Sequence, residues 1–146
     1  MDSTRIAHPH RLIARAAAVI GLLGIALIHL LDLQSKIHET PYLAVAYVVL
    51  IAAALASAAL LVHADDRRAW VAATAIAVAT FAAYAANRTV GMPSATDDIG
   101  NWLEPIGLAS LFVEAVTAAV GFYALADRRP GASQAPGTGR RLADVA

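Results

Sequence analysis

Four long apolar runs, separated by short polar segments, set the pattern of this chain. The runs cover residues 12–33, 42–62, 69–87 and 104–126. As helices, with a rise of about 1.5 Å per residue, each can cross the roughly 30 Å hydrocarbon core of a bilayer or nearly so. Pro41 and Pro105 stand where the second and fourth helices would begin, a position that tolerates proline. The pattern predicts an all-α fold, a four-transmembrane-helix up-down bundle that forms one membrane domain over 12–126.

The segments outside these runs predict no further domain. Residues 1–11 form a polar, basic head, and residues 127–146 are rich in Gly, Pro and Ser without an apolar period, which is typical of a disordered tail. The first run is too long for a signal-peptide core and is followed by no small-x-small cleavage site, so we expect a retained membrane helix. Trp70, at the start of the third run, is expected to mark a membrane interface.

Composition supports a membrane protein and excludes several other classes. Hydrophobic residues make up 59% of the 146 residues and charged residues 15%, whereas soluble domains have roughly 45–50% and 25%. The formal net charge is zero and no basic stripe occurs, which argues against a nucleic-acid partner. Because the chain has no cysteine, disulfides, thiolate catalysis and Cys-ligated metals are excluded.

The distribution of cations predicts an orientation. Nine arginines fall in the N-terminal segment, in the linker between the second and third runs, and in the tail: Arg5, Arg11, Arg15, Arg67, Arg68, Arg128, Arg129, Arg140 and Arg141. The other two loops hold Lys36 and Arg88 alone. By the positive-inside rule, both termini are expected in the cytoplasm and the loops at 34–41 and 88–103 outside, in a multi-pass protein of the bacterial plasma membrane.

The fourth run carries small and polar residues on one helical face. They are Gly107, Ser110, Glu114, Thr117 and Gly121, at spacings of three and four. This face should contact the other helices rather than lipid. Glu114 would lie roughly 15 Å into the membrane, where a carboxylate is costly unless it is protonated or paired.

Other polar residues fall at the same end of the predicted bundle. His29 and Asp32 are one turn apart near the end of the first run, and Thr80, Tyr84, Asn87 and Arg88 share a face near the end of the third. The loops add His38, Glu39, Asp97 and Asp98. The candidate ligand-binding residues are therefore His29, Asp32, Tyr84, Arg88, Glu104 and Glu114.

Three interpretations of these residues remain open. They can form a buried hydrogen-bond and ion-pair network that fixes the order of the helices, with Asp32 or Glu104 as the partner of Arg88. They can hold a divalent metal ion as a cofactor, although no spacing matches a strong metal motif. They can line a pocket for a small organic or lipidic ligand, or an enzyme site with Glu114 as acid or base. The candidate metal ligands are His29, Asp32, His38, Asp97 and Asp98.

The stretch RTVGMPSATDDIGNWLEPIGLASLFVEA, residues 88–115, resembles one that recurs in small, uncharacterised four-helix integral membrane proteins of high-GC actinobacteria. The resemblance is close over about 30 residues, and elsewhere it extends to hydropathy alone. It implies a bacterial membrane location and assigns no catalytic residue or cofactor.

Together these observations favour an integral membrane protein that binds a small ligand or a cation over one that catalyses a reaction. The alternative is an accessory or assembly subunit of a larger membrane complex, which would pack against its partner through faces of small residues. The expected partners are membrane lipid and, for the alternative, another membrane protein or a second copy of the chain.

Overall fold

The computed structural model describes residues 9–128, which form four α-helices and one short 3₁₀ helix. The helices are α1 (Pro9–Glu39), α2 (Pro41–His63), α3 (Arg67–Thr89) and α4 (Pro105–Asp127), and the 3₁₀ helix covers Thr96–Asp98. Each α-helix is long and apolar enough to cross a membrane. The all-helical, four-span prediction is confirmed, and these features indicate a multi-pass membrane protein. The predictions for residues 1–8 and 129–146 lie outside the described residues.

Helix α1 is longer than its apolar run predicted. It continues beyond Leu33 through the mostly polar residues Gln34–Glu39, which the sequence assigned to a loop. Gln, Lys and Glu are good helix formers, so polarity alone does not end the helix. The helix ends where Pro41 restricts the backbone of Thr40, and Pro41 then begins α2.

The other helix ends follow local chemistry. Asp66 is the N-cap of α3, where its Oδ1 accepts a hydrogen bond from the backbone N–H of Ala69 at 2.8 Å. This bond satisfies one of the free N–H groups of the first turn. Pro105 occupies the first turn of α4, where a missing N–H costs nothing.

The four helices pack in a ring, α1 beside α2, α2 beside α3, α3 beside α4, and α4 beside α1. The packing is most extensive between α1 and α2 and between α3 and α4, and sparsest between the neighbours α2 and α3. We call the end that holds the α2–α3 connection, the start of α1 and the end of α4 the Trp70 end. The opposite end, where α1 meets α2 and the 90–104 loop joins α3 to α4, is the Arg88 end.

The Trp70 end is closely packed. Trp70 is 1% exposed among buried alanines and leucines of the other helices, and its Nε1 donates a hydrogen bond to Asp65 Oδ1 at 2.7 Å. The indole faces the inside of the bundle, because small neighbours leave room for it, and the expectation that Trp70 marks the level of a membrane interface stays a prediction. At Gly121, an added Cβ would overlap Thr74 of α3.

The polar stripe of α4 also faces inward. Gly107, Ser110, Glu114, Thr117 and Gly121 are all buried, as the spacing predicted. At Gly21 of α1, an added Cβ would overlap the Thr117 hydroxyl, so the stripe allows α1 and α4 to approach closely.

Candidate functional site

A cavity of about 300 Å³ lies within the Arg88 end of the bundle. Residues of all four helices and of the 90–104 loop line it. The six candidate ligand-binding residues are all among them: His29, Asp32, Tyr84, Arg88, Glu104 and Glu114. The helices therefore bring together side chains that lie up to 85 positions apart in the sequence.

Glu114 is the most deeply buried acid beside this cavity, with 0% exposure. Ser110, one turn earlier on α4, donates a hydrogen bond from Oγ to Glu114 Oε1 at 2.6 Å. Among the described residues, no donor lies within hydrogen-bonding distance of Oε2. A buried carboxyl oxygen without a partner is costly, so this atom is a natural contact for a ligand that donates a hydrogen bond or carries positive charge.

His29 and Asp32 lie on the α1 wall of the cavity and meet Tyr47 of α2. His29 Nδ1 is 2.9 Å from the backbone oxygen of Ile25, to which it must donate because a carbonyl only accepts. The Tyr47 hydroxyl donates to Asp32 Oδ2 at 3.0 Å, and its ring contacts His29 edge-on with the centroids 4.7 Å apart. In the neutral His29 ring, Nε2 is then the nitrogen left as an acceptor.

Ser35 is a second hydrogen-bond donor to the Asp32 carboxylate. Its Oγ donates to Asp32 Oδ1 at 2.9 Å. Asp32 is thus held by two hydroxyl groups, and no ion pair within residues 9–128 includes it. Asp32, one of the two alternative partners expected for Arg88, does not pair with it, because its two carboxylate oxygens accept hydrogen bonds from Ser35 and Tyr47.

Arg88 is a buried cation that joins α3 to the 90–104 loop. Its side chain is 5% exposed, and it pairs with Asp98, at 2.5 Å between Nη1 and Oδ1, and with Glu104. The predicted pairing with Glu104 is therefore present, and Asp98 is an additional partner. With two carboxylates on its terminal nitrogens, Arg88 has little charge left for a ligand.

Asp98 shows the strength of this network. Burial alone would raise the pKa of its carboxyl, but hydrogen bonds from Asn87 and Arg88, together with the Arg88 charge, outweigh burial and lower that pKa below its ordinary value. Asn87 Nδ2 donates to Asp98 Oδ2 at 2.9 Å. The carboxylate form of Asp98 is therefore favoured in the folded protein.

Tyr84 forms the part of the wall between Arg88 and α4. The Arg88 guanidinium carbon lies 4.9 Å from the centroid of the Tyr84 ring, within the range of a cation–π contact. On its other side, Tyr84 packs against Gly107, where an added Cβ would overlap the phenol. Gly107 thus lets the hydroxyl end of the Tyr84 ring approach the backbone of α4 closely.

The 90–104 loop folds over this end of the bundle. The Gly100 N–H donates to the backbone oxygen of Arg88 at 2.9 Å, and the Tyr42 hydroxyl donates to the backbone oxygen of Pro93 at 2.6 Å. Gly91 and Gly100 have φ of 78° and 79°, a region that favours glycine. These contacts tie the loop to both α2 and α3.

The candidate metal ligands are not gathered in one place. His29, Asp32 and Asp98 line the cavity, whereas His38 and Asp97 are exposed and do not line it. Among residues 9–128, no group of three or more His, Asp or Glu side chains is arranged to hold a metal ion. The geometry therefore gives no support to the metal set that the sequence suggested.

Tyr47 and Lys36 are polar residues of the cavity that the sequence did not identify as candidate site residues. Tyr47 was counted among the apolar residues of the second span, although it supplies both a ring and a hydroxyl. A tyrosine inside a membrane span, rather than at the interface where tyrosine is enriched, was the sequence signal that could have indicated its role in the site. Lys36 also lines the cavity, and it pairs with Glu39 at 3.4 Å.

No family model, curated protein or solved structure matches this chain. The arrangement of the cavity residues is therefore the basis for inferring function. It offers a cavity in the size range of small-molecule sites, largely apolar walls, and a few polar groups converging from different helices.

Proposed function

We propose that this chain is a multi-pass protein of the bacterial plasma membrane that binds a small ligand in the Arg88-end cavity. The nine-to-two distribution of cations supports an orientation with both termini in the cytoplasm. In that orientation the cavity belongs to the outer half of the membrane, and the 90–104 loop covers it from outside.

The observation that carries the proposal is Glu114 Oε2. A network that only fixed helix order would be expected to pair its buried charged groups, as the terminal nitrogens of Arg88 pair with Asp98 and Glu104. Glu114 instead lies beside a cavity of about 300 Å³ with one carboxyl oxygen unpartnered among the described residues. In membrane proteins, a buried acid that faces a cavity is typically part of a ligand or ion site.

A thermal-shift experiment tests the proposal. The protein, purified in dodecyl maltoside, is heated with amines, carboxylates, sugars and the chlorides of Ca²⁺, Mg²⁺, Mn²⁺ and Zn²⁺, and its melting temperature is recorded. At least one class should raise the melting temperature of the native protein and fail to raise that of Glu114→Gln. Thr117→Ser is the matched control, because Thr117 is buried on the same face of α4 but does not line the cavity.

The alternative of an accessory subunit predicts a different result. No compound should then change the melting temperature, and the protein should co-purify from mild detergent with a larger membrane protein. That combination would replace the ligand-binding proposal.

Labelling of single cysteines tests the orientation separately. The chain has no native cysteine, so one introduced at Ser94 and one at Ala64 report without background. In intact cells, a membrane-impermeant maleimide should label Ser94→Cys and leave Ala64→Cys unlabelled. The opposite pattern would invert the topology.

A further inference from the structure

Resting on the proposed function, we propose that the ligand of this cavity is an organic ammonium ion with a small apolar group, which reaches the site from the membrane between α2 and α3. The charge of the cavity, its aromatic rings and the composition of its walls all favour such a ligand.

The ionisable side chains that line the cavity include more acids than bases. Lys36 and Arg88 are the cations, and the acids are Asp32, Asp98, Glu104 and Glu114. Arg88 is paired with Asp98 and Glu104, and Lys36 with Glu39. Within residues 9–128, Asp32 and Glu114 are left without an ion pair. A cationic ligand would supply the missing charge, whereas an anion would meet two unpaired acids.

The buried acid is accompanied by aromatic rings. His29 and Tyr47 contact each other on one wall, and Tyr84 forms part of another. Aromatic faces attract alkylated ammonium groups, which are too weakly hydrated to demand a full shell of oxygen ligands. A divalent metal demands such a shell, and no group of three acidic or histidine ligands occurs among the described residues. The chemistry therefore favours an organic cation over a metal ion.

The remaining walls suit an apolar group. Ile28, Leu43, Leu50 and Ile106 line the cavity together with alanines of α2 and α3. A volume of about 300 Å³ accommodates a ligand of roughly ten to fifteen heavy atoms, at the lower end of small-molecule sites. A bare inorganic ion would leave most of this apolar surface without a contact.

The side between α2 and α3 offers the route of entry. These neighbours have the sparsest packing in the ring. Ala46 of α2 and Ala79 and Ala83 of α3 line the cavity and are also exposed, so small side chains border it on this side. On the outer side, the 90–104 loop is tied down by the Arg88 ion pairs. We infer that the ligand passes between α2 and α3, where lipid meets the bundle.

Isothermal titration calorimetry with four matched probes tests the inference. Benzyltrimethylammonium combines the charge with an apolar ring. Neopentylbenzene has the same shape without charge, phenylacetate reverses the charge, and tetramethylammonium lacks the ring. The protein is kept in dodecyl maltoside, because phosphocholine detergents carry the very group under test.

We expect benzyltrimethylammonium to bind the native protein more tightly than the other three probes. Its affinity should fall by about tenfold or more in Glu114→Gln and in Asp32→Asn, since each removes one unpaired acid. Ala83→Leu, which fills the gap between α2 and α3, should also weaken binding. Ala82→Leu adds the same bulk at an exposed neighbour that does not line the cavity, and should bind as the native protein does.

The outcomes separate this inference from the proposed function. Tighter binding of neopentylbenzene or phenylacetate, weakened by Ala83→Leu, would overturn the ammonium ligand and leave a ligand site in the cavity. Equal affinity for tetramethylammonium would overturn the role of the apolar group. Benzyltrimethylammonium binding that is unchanged in Glu114→Gln, Asp32→Asn and Ala83→Leu would overturn the inference, as would no binding of any probe. The proposed function itself falls only if the broader thermal-shift panel also gives no response.

Discussion

The two ends of this bundle use the same four helices for different purposes. At the Trp70 end, alanines surround a buried indole, and the pocket beside it holds only about 10 Å³. At the Arg88 end, the helices enclose about 300 Å³ and bury charged groups beside it. At the Trp70 end the side chains fill the space between the helices. At the Arg88 end they leave a cavity and place polar groups beside it. Stability and ligand binding should therefore respond to substitutions at opposite ends.

The largest expected effect comes from removing the ring that fills the Trp70 end. Trp70→Ala should lower the free energy of unfolding by about 3 kcal/mol, since it creates a cavity in closely packed surroundings. Tyr84→Ala should cost only about 1 kcal/mol, because it enlarges a cavity that already exists and removes one cation–π contact. Unfolding titrations with sodium dodecyl sulfate in mixed micelles measure both. A larger loss in Tyr84→Ala would show that the Arg88 end is the principal packed region.

Removing a buried cation should destabilise the protein more than removing an exposed one. Arg88→Ala should destabilise the protein by about 2 kcal/mol, because it leaves Asp98 and Glu104 without their counter-charge. Arg11, at the Trp70 end, pairs with Asp127 while 45% exposed, so Arg11→Ala should cost less than about 0.5 kcal/mol. Lys36→Ala, on the same side of the bundle as Arg88, is a second control with a similarly small loss. Equal effects in all three variants would mean that Arg88 is a solvated charge.

The Asp98 network should add a pH dependence at the Arg88 end. Because the folded protein lowers the Asp98 pKa, its contribution is full above the unfolded value of about 3.9 and is lost as the pH falls through the lower, folded value. At pH 7, Asp98→Asn should cost about 1 kcal/mol, and the difference from the native protein should shrink below about pH 4. Asp97→Asn, at an exposed neighbour, should give no such difference at either pH. A loss that is independent of pH would assign Asp98 a role unrelated to its charge.

The smallest effect on stability is expected at Glu114. Glu114→Gln keeps the shape and the bond with Ser110, so the free energy of unfolding should change by less than about 0.5 kcal/mol. Glu114→Leu should cost about 1 kcal/mol, because it removes that bond. The same unfolding titrations compare the two variants. A large loss in Glu114→Gln would make the carboxylate a structural element and would remove the contrast between the two ends.

The sequence predicted the helices well because hydropathy depends on composition along one chain segment. It also predicted the buried face of α4, since Gly107 and Glu114 lie at helical spacing from the other small and polar residues. In the site, it identified six residues that do line one cavity. These predictions needed only the period of a helix and the cost of burying polar groups.

Contacts between helices were harder to predict. The orientation of Trp70, the role of Tyr47 and the partners of Asp32 depend on how each helix is rotated about its axis. Hydropathy does not determine how a helix is rotated about its axis when alanine occurs on every face of that helix. The length of α1 was missed for a different reason: polar residues end an apolar run without ending a helix.

The ion pair between Arg88 and Glu104 has a consequence for how the protein enters the membrane. Its partners are only 16 residues apart, on the two arms of the α3–α4 hairpin. An isolated arginine near the end of a span raises the cost of insertion. Because the neutralising acid is made within seconds of the arginine at ordinary rates of synthesis, the pair can close while both arms are still leaving the insertion machinery. The charge of Arg88 is then neutralised by acids of the α3–α4 segment itself, without a contribution from α1 or α2.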